Sequence, residues 1–199
     1  MCNIVTKMKH LERKIREKQQ IRERILKAAL QIAEDEGWTA VTIRRIADAI
    51  EYTTSIVYSH FDSKEALLDE LATGGFESLS RQLQKILSKE RDPAQQLRKL
   101  SEINWDFAVQ HMALYNLMFN MGKPKNPGAE KGMELVQQVF KSLTGKEDVQ
   151  EYVLNWICLR RGCIHTMLNF NYKEKGQASP RSSKKRYMSF IDRFIQSIL

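Results

Sequence analysis

The chain has few cysteines, few prolines and no long apolar run, and each shortage removes a class of protein. Three cysteines (Cys2, Cys158, Cys163) in 199 residues are too few, and odd in number, for a disulfide framework. Five positions apart on one helix, the Cα atoms of Cys158 and Cys163 would be roughly 8 Å apart, too far to bridge, so they read as buried hydrophobes. His10, His60, His111 and His165 are scattered without ligand spacing, so no metal site is expected. No segment approaches the ~20 uninterrupted apolar residues of a bilayer span, and Lys7, Lys9 and Arg13 precede no apolar block. A cytoplasmic location is the expectation. The chain also lacks a nucleophile elbow, a phosphate-binding glycine loop and a paired acidic motif, so neither enzymatic activity nor a cofactor is expected.

What is present is helical. The four prolines and most of the nine glycines fall between apolar-periodic segments, and no stretch alternates with period two for long enough to make a strand. An all-α fold follows, with a hydrophobic content of 42% that suits an ordinary globular core. The net charge of +8 suits a nucleic-acid binder or simply a basic protein, and its distribution says more. Residues 1–25 carry eight Lys/Arg against three Glu, whereas residues 26–70 carry four against nine Asp/Glu, so the first seventy residues sum to zero. Any DNA affinity must therefore come from where the charges sit, with Arg44, Arg45, Lys64 and the N-terminal arm (residues 1–20) on the DNA side. For the arm two readings stand. It grips phosphate, or its i, i+4 pairs Glu12/Arg16 and Glu23/Lys27 merely support a solvated helix.

From Arg24 to Leu68 the pattern is that of a helix, a turn, two short helices and the start of a long one. Ile25, Ala28, Ala29, Ile32 and Ala33 recur at the spacing of a half-buried helix, and Gly37 is placed to end it with positive φ. Thr42 can cap a second helix, flanked by Val41 and Ile46 in staple positions, and Thr53 can cap a very short third helix ending around His60. Ser63 can cap the next. The outline is a helix-turn-helix head over residues 21–68.

Thr42, Ile46, Ala47, Thr53, Val57, Tyr58, His60, Phe61, Ser63, Lys64, Glu65 and Leu67 also closely resemble, in order, the N-terminal signature of the TetR family of bacterial repressors. The turn glycine of that pattern is Glu51 here, which costs about 1 kcal/mol unless Tyr52, packing inward, supports a different turn. Thr54 and Ser55 replace a small residue after the cap. The resemblance implies a homodimer on a palindromic duplex operator. Tyr58, His60, Lys64 and Thr42 would make phosphate contacts, with core packing the alternative for Tyr58. Arg44, Thr53, Thr54 and Ser55 are the candidates for base edges, Arg44 because a guanidinium can grip guanine O6 and N7 together.

Residues 69–199 read as a larger helical domain, with breaks expected near Gly74-Gly75, Arg91-Asp92-Pro93, Gly122 to Gly128, Gly145-Lys146 and Gly176 to Pro180. Large flexible side chains between residues 94 and 121 suit either an adaptable pocket or a core that uses methionine as filler. The family resemblance implies a small-molecule inducer cavity there, and Trp105, Phe107, Met118, Phe119, Cys158, Arg161 and His165 are its candidates. Ala113 to Phe119 with Trp156 and Gly162 is further similar to the subgroup named for a Trp-His-Gly motif, although the position before Gly162 is Arg161 rather than histidine. Trp156 reads as a core filler and Gly162 as a place where a neighbouring helix approaches.

The helix expected from Glu147 to Tyr172 has apolar residues on two sides, Leu154, Cys158, His165 and Leu168 forming the second. The last helix has a stripe at Tyr187, Met188, Ile191, Phe194, Ile195 and Ile198. Two such helices from each subunit would form a four-helix dimer interface. The expected function is a ligand-released, DNA-binding regulator, most often a repressor in that family. The alternative is a dimeric adaptor of the same fold that acts through protein partners.

Overall fold

A computed structural model describes the backbone of residues 2–121, 127–169 and 180–199, and the side chains of 10–119, 128–168 and 182–199. The breaks expected over 122–126 and 176–179, the extension of a helix to Tyr172 and the arm side chains Lys7 and Lys9 lie outside the described residues. Among those described there is helix and no strand. The chain divides into two compact units, residues 1–72 and 73–199.

The first unit is built on α1 (Cys2–Glu36), which takes in the N-terminal arm as continuous helix. Residues 10–20 are all exposed, and an Arg13–Glu17 pair at 3.3 Å, four residues apart, is of the kind that supports a solvated helix. Gly37 ends α1 at φ 85° and leads into a turn at Trp38–Ala40. Helix α2 (Ile43–Ala49) starts where Thr42 accepts a hydrogen bond from the Arg45 amide at 3.2 Å, and Val41 and Ile46 are both fully buried beneath it. Helix α3 (Thr54–Tyr58) starts after Thr53, whose extended backbone marks the boundary but whose hydroxyl makes no capping bond. Ser63 caps α4 (Lys64–Lys89) through the Ala66 amide at 3.1 Å. Ile25, Ile46, Val57, Phe61 and Leu67 close the core of this unit. Each such burial contributes about 1.5–3 kcal/mol.

Glu51 does adopt the left-handed conformation, φ 62°. Tyr52 does not pack inward to relieve it. The ring is 38% exposed and lies 5.3 Å from the Arg24 guanidinium, which also donates to the Ile50 carbonyl at 2.9 Å. Arginine stacking thus holds the turn from outside.

In the second unit the expected break at Gly74-Gly75 is absent, since α4 runs through both glycines to Lys89. Gly75 leaves room there for Met118: a Cβ on it would meet the Met118 sulfur, and that side chain would have to shift. Asp92 caps α5 (Pro93–Gln110), with Pro93 in the first turn where its missing N–H costs nothing. At His111 the chain turns into α6 (Met112–Asn116) and a π-helical turn (Leu117–Met121), a change of direction that no glycine or proline signals. The remaining helices are α7 (Pro127–Thr144), α8 (Gln150–Asn169) and α9 (Pro180–Ile198), and Gly145 follows α7 at φ 68°.

Helix α5 is central and packs against α7, α8 and α9. Trp105 stacks on Tyr187 of α9 with ring centres 5.0 Å apart, and ion pairs Arg98–Asp192 and Lys184–Asp106, at 2.9 and 2.7 Å, flank that seam. Trp156 fills the core from α8, its Nε1 donating to Ser101 Oγ at 2.9 Å. The α9 stripe therefore has a home within its own chain. Tyr187, Met188, Ile191 and Ile195 are buried, and Phe194 sits edge-on to Phe140 at 6.3 Å. The second side of α8 differs: Leu154, Cys158 and His165 are exposed and Leu168 is half-buried. Burial of Cys158 is thus corrected, while Cys163 is half-buried and its thiol is pushed up by desolvation. Outside its own stretch of α8, no described atom lies within 4 Å of a Cβ built on Gly162, so among the described residues no neighbouring helix makes a close approach there.

Candidate functional site

The head presents one polar row over its apolar core. Thr42 and Arg44 at the start of α2, and Thr53, Thr54, Ser55 and Tyr58 along α3, are all exposed, while Val57 between them is fully buried. Tyr58 is 54% exposed, which removes core packing as its role. Arg45 is placed differently. Its guanidinium is bound in two-point fashion to Glu36, with Nη1 donating to Oε2 at 2.8 Å and Nη2 to Oε1, and it holds that carboxyl below its usual range.

Behind the row, an arginine that the sequence reading passed over ties the elements together. Arg22 of α1 donates to both Glu70 oxygens, at 2.9 Å from Nε, and to the His60 carbonyl, while lying 4.1 Å from the Phe61 ring centre. The clamp fixes the α3–α4 corner against α1. His60 is half-buried with an unpartnered Nδ1, and desolvation, aided by Lys18 and Arg22, lowers its pKa. Lys64 is half-buried at the first position of α4.

The second unit holds a cavity of about 310 Å³ among α4, α5, the π-helical turn, α7 and α8. Met118, Phe119 and Arg161 line it. Trp105 and Phe107 do not, being buried in the core around α5, and Cys158 and His165 are on the exposed side of α8. Helical spacing explains the division, because residues 158 and 165 lie on the side of α8 away from Trp156. Arg161 donates from Nη2 to the Phe119 carbonyl, 5.1 Å above that ring. Its neighbour Arg160 is the unanticipated member: it is buried in the cavity wall and donates to Asn104 Oδ1. A signal for it exists in the sequence, since Val153, Trp156, Arg160 and Ile164 follow the 3, 4, 4 spacing of a buried stripe.

Residues 25–71 match the model of bacterial regulatory proteins of the tetR family. Residues 25–71 thus form a TetR-type N-terminal domain. Among curated proteins it is 28% identical over 114 residues to the HTH-type transcriptional repressor NicS of Pseudomonas putida, covering 57% of this chain and 54% of NicS. It is 31% identical over 85 residues to the HTH-type transcriptional repressor KstR2 of Rhodococcus jostii, covering 43% of this chain and 42% of KstR2. The chain thus spans about half the length of the curated relatives it matches. In fold, it is similar across 88% of its length, and 95% of the other chain, to a TetR family regulator, PfmR of Thermus thermophilus, with a TM-score of 0.68 at 18% identity.

The family match falls on the unit that carries the exposed row and takes in both α2 and α3. It does not reach Trp156 or Gly162. In the structure these two residues part company, the indole in the core and the glycine exposed.

Proposed function

We propose that this protein is a homodimeric, sequence-specific DNA-binding regulator of the repressor kind, acting in the cytoplasm and released from a palindromic operator by a small molecule. The observation that carries the reading is the exposed row Arg44, Thr53, Thr54, Ser55 and Tyr58 on a TetR-type helix pair. Arg44 and the α3 hydroxyls read base edges, while Thr42, Tyr58, His60 and Lys64 contact phosphates and fix register. Arg45 acts indirectly, as a brace between α1 and α2. The arm adds cationic side chains along α1 that serve as counter-charge to the backbone.

Dimerisation uses the outward side of α8, where Leu154 is 58% exposed and Cys158 and His165 follow on the same side. Leu154 is the large apolar side chain of α8 that its own chain leaves exposed, and a partner subunit would cover it. The second unit's cavity holds the ligand. Helix α4 carries Lys64 at its start and the cavity-lining Phe76 further along, which makes it the covalent route from cavity to head. Release requires the ligand to bind the DNA-incompetent arrangement more tightly than the competent one, since equal affinity shifts nothing.

A genome-wide footprint of DNA bound by the full chain tests this reading. Discrete protected sites, lost on adding a ligand whose own binding is weakened by operator to the same extent, are the expected result. Diffuse protection without specific sites would favour an adaptor acting through protein partners.

A further inference from the structure

Among the described residues, Arg160 is a buried cation without a buried anion. It is 5% exposed and belongs to the apolar stripe of α8. Its Nη1 donates to the neutral Asn104, whose own Nδ2 is committed to the Leu100 carbonyl at 2.8 Å, so the amide oxygen is turned towards the guanidinium. The guanidinium carbon lies 4.7 Å from the Trp156 ring centre and 5.3 Å from that of Phe119. Its Nε is buried with no acceptor, and no carboxylate among the described residues comes within ion-pair distance of it. Two aromatic faces and one amide offset only part of the cost of desolvating such a charge.

The surroundings of Arg160 favour an anion further. The Arg161 guanidinium also lies 5.1 Å from the Phe119 ring centre, and the Tyr115 hydroxyl, on a residue only 4% exposed, is also unpartnered. Burial pushes the Tyr115 phenol up against the pull of both arginines, so it stays a neutral donor within their field. Most of the remaining wall is apolar, with Phe76, Leu79, Leu83, Met118, Met133 and Val136 facing the space, and its polar member Ser80 has its hydroxyl donating to the Gly128 carbonyl. At about 310 Å³ the cavity is at the lower end of ordinary ligand sites, about 300–1,000 Å³.

We propose that this cavity binds a small monocarboxylate with an apolar chain or ring, its carboxylate paired with Arg160 and its body against the α4 and α7 walls. The proposal names the ligand class for the cavity assigned above to the inducer, and rests on that assignment only for the link to DNA. A neutral ligand could accept from the Arg160 Nε but would leave the guanidinium charge uncompensated, and an organic cation would meet two guanidinium groups. A bare inorganic anion would leave the apolar wall unfilled.

The test is calorimetric titration and thermal melting of the full chain, without DNA, against a panel of aliphatic and arylalkanoic acids beginning with octanoate and phenylacetate. Each is paired with its matching alcohol, and inorganic phosphate serves as a control. At least one acid is expected to bind ~10-fold or more tightly than its alcohol, the scale of one charge-assisted contact. Phosphate at the same concentration is expected to leave the melting temperature unchanged. Arg160→Met keeps bulk without charge, and should melt no lower than the parent while losing the preference for acid over alcohol. Should that variant misfold, Met133→Glu on the half-exposed wall is expected to abolish acid binding by repulsion. The proposal is overturned if no acid outbinds its alcohol, if phosphate protects as well as the acids, if Arg160→Met keeps the preference, or if Met133→Glu still binds the acid. An acid that binds in this way but leaves operator affinity unchanged would sink the inducer reading instead.

Discussion

Arg45 is bound by Glu36 through both guanidinium nitrogens, whereas the adjacent Arg44 is exposed and has no partner among the described residues. Two arginines one position apart on the same helix are thus held differently, and the proposed function gives them separate tasks. Arg44→Ala should cost about 1–3 kcal/mol at one operator position and relax selectivity there. Arg45→Ala should weaken binding to all duplexes alike, by loosening α2 from α1. Competition binding against single-base operator variants separates the two. Equal effects across all variants from both substitutions would remove Arg44 from base reading.

Glu51 occupies φ 62° without a compensating contact from Tyr52, so the turn carries avoidable strain. Glu51→Gly should stabilise the head by about 0.5–1 kcal/mol, the αL penalty less the extra freedom glycine has when unfolded. Urea denaturation followed by helical circular dichroism measures it. A destabilised variant would mean that Glu51 makes a contact worth more than the strain.

The lowered pKa of His60, caused first by desolvation and then by Lys18 and Arg22, makes head stability depend on pH. A neutral folded-state imidazole binds fewer protons than the unfolded one. Its contribution is therefore fully present above the unfolded pKa, about 6.5, and is lost as pH falls from there through the folded value. Melting temperature should drop over that window, and His60→Gln should flatten the drop. An identical pH profile in the variant would assign the effect to other groups.

Leu154→Glu places a charge on the outward side of α8 and should yield monomers in sedimentation, with operator affinity falling as two linked half-sites become one. Phe194→Glu should instead unfold the second unit, because Phe194 meets Phe140 within its own chain. Dimers that survive Leu154→Glu would move the interface elsewhere.

The sequence was most legible where hydrogen bonding is local. Thr42 and Ser63 cap helices within three residues of themselves, and both bonds are present. Thr53 lacks its bond although the helix begins where its position implies. Gly74-Gly75 suggested a break because each glycine costs a helix about 1 kcal/mol, but Met118 packing against Gly75 outweighs that local preference. The α9 stripe was legible as apolar, yet periodicity does not say which neighbour covers it. At the cavity, motif likeness points to Arg161 whereas side-chain period points to Arg160. The expected pocket residue was Arg161, and the buried Arg160 was not anticipated.

The most direct measurement of the central claim is selection of duplexes from a random library by the full chain, followed by titration of the recovered sequence in rising salt. The expected site is a pair of inverted half-sites about one helical turn, or a multiple of it, apart. It should bind at least ~10³-fold more tightly than a shuffled duplex, with log affinity falling linearly in log salt. A library that emerges unenriched, or a recovered site bound no better than its shuffled control, would contradict sequence-specific recognition by this head.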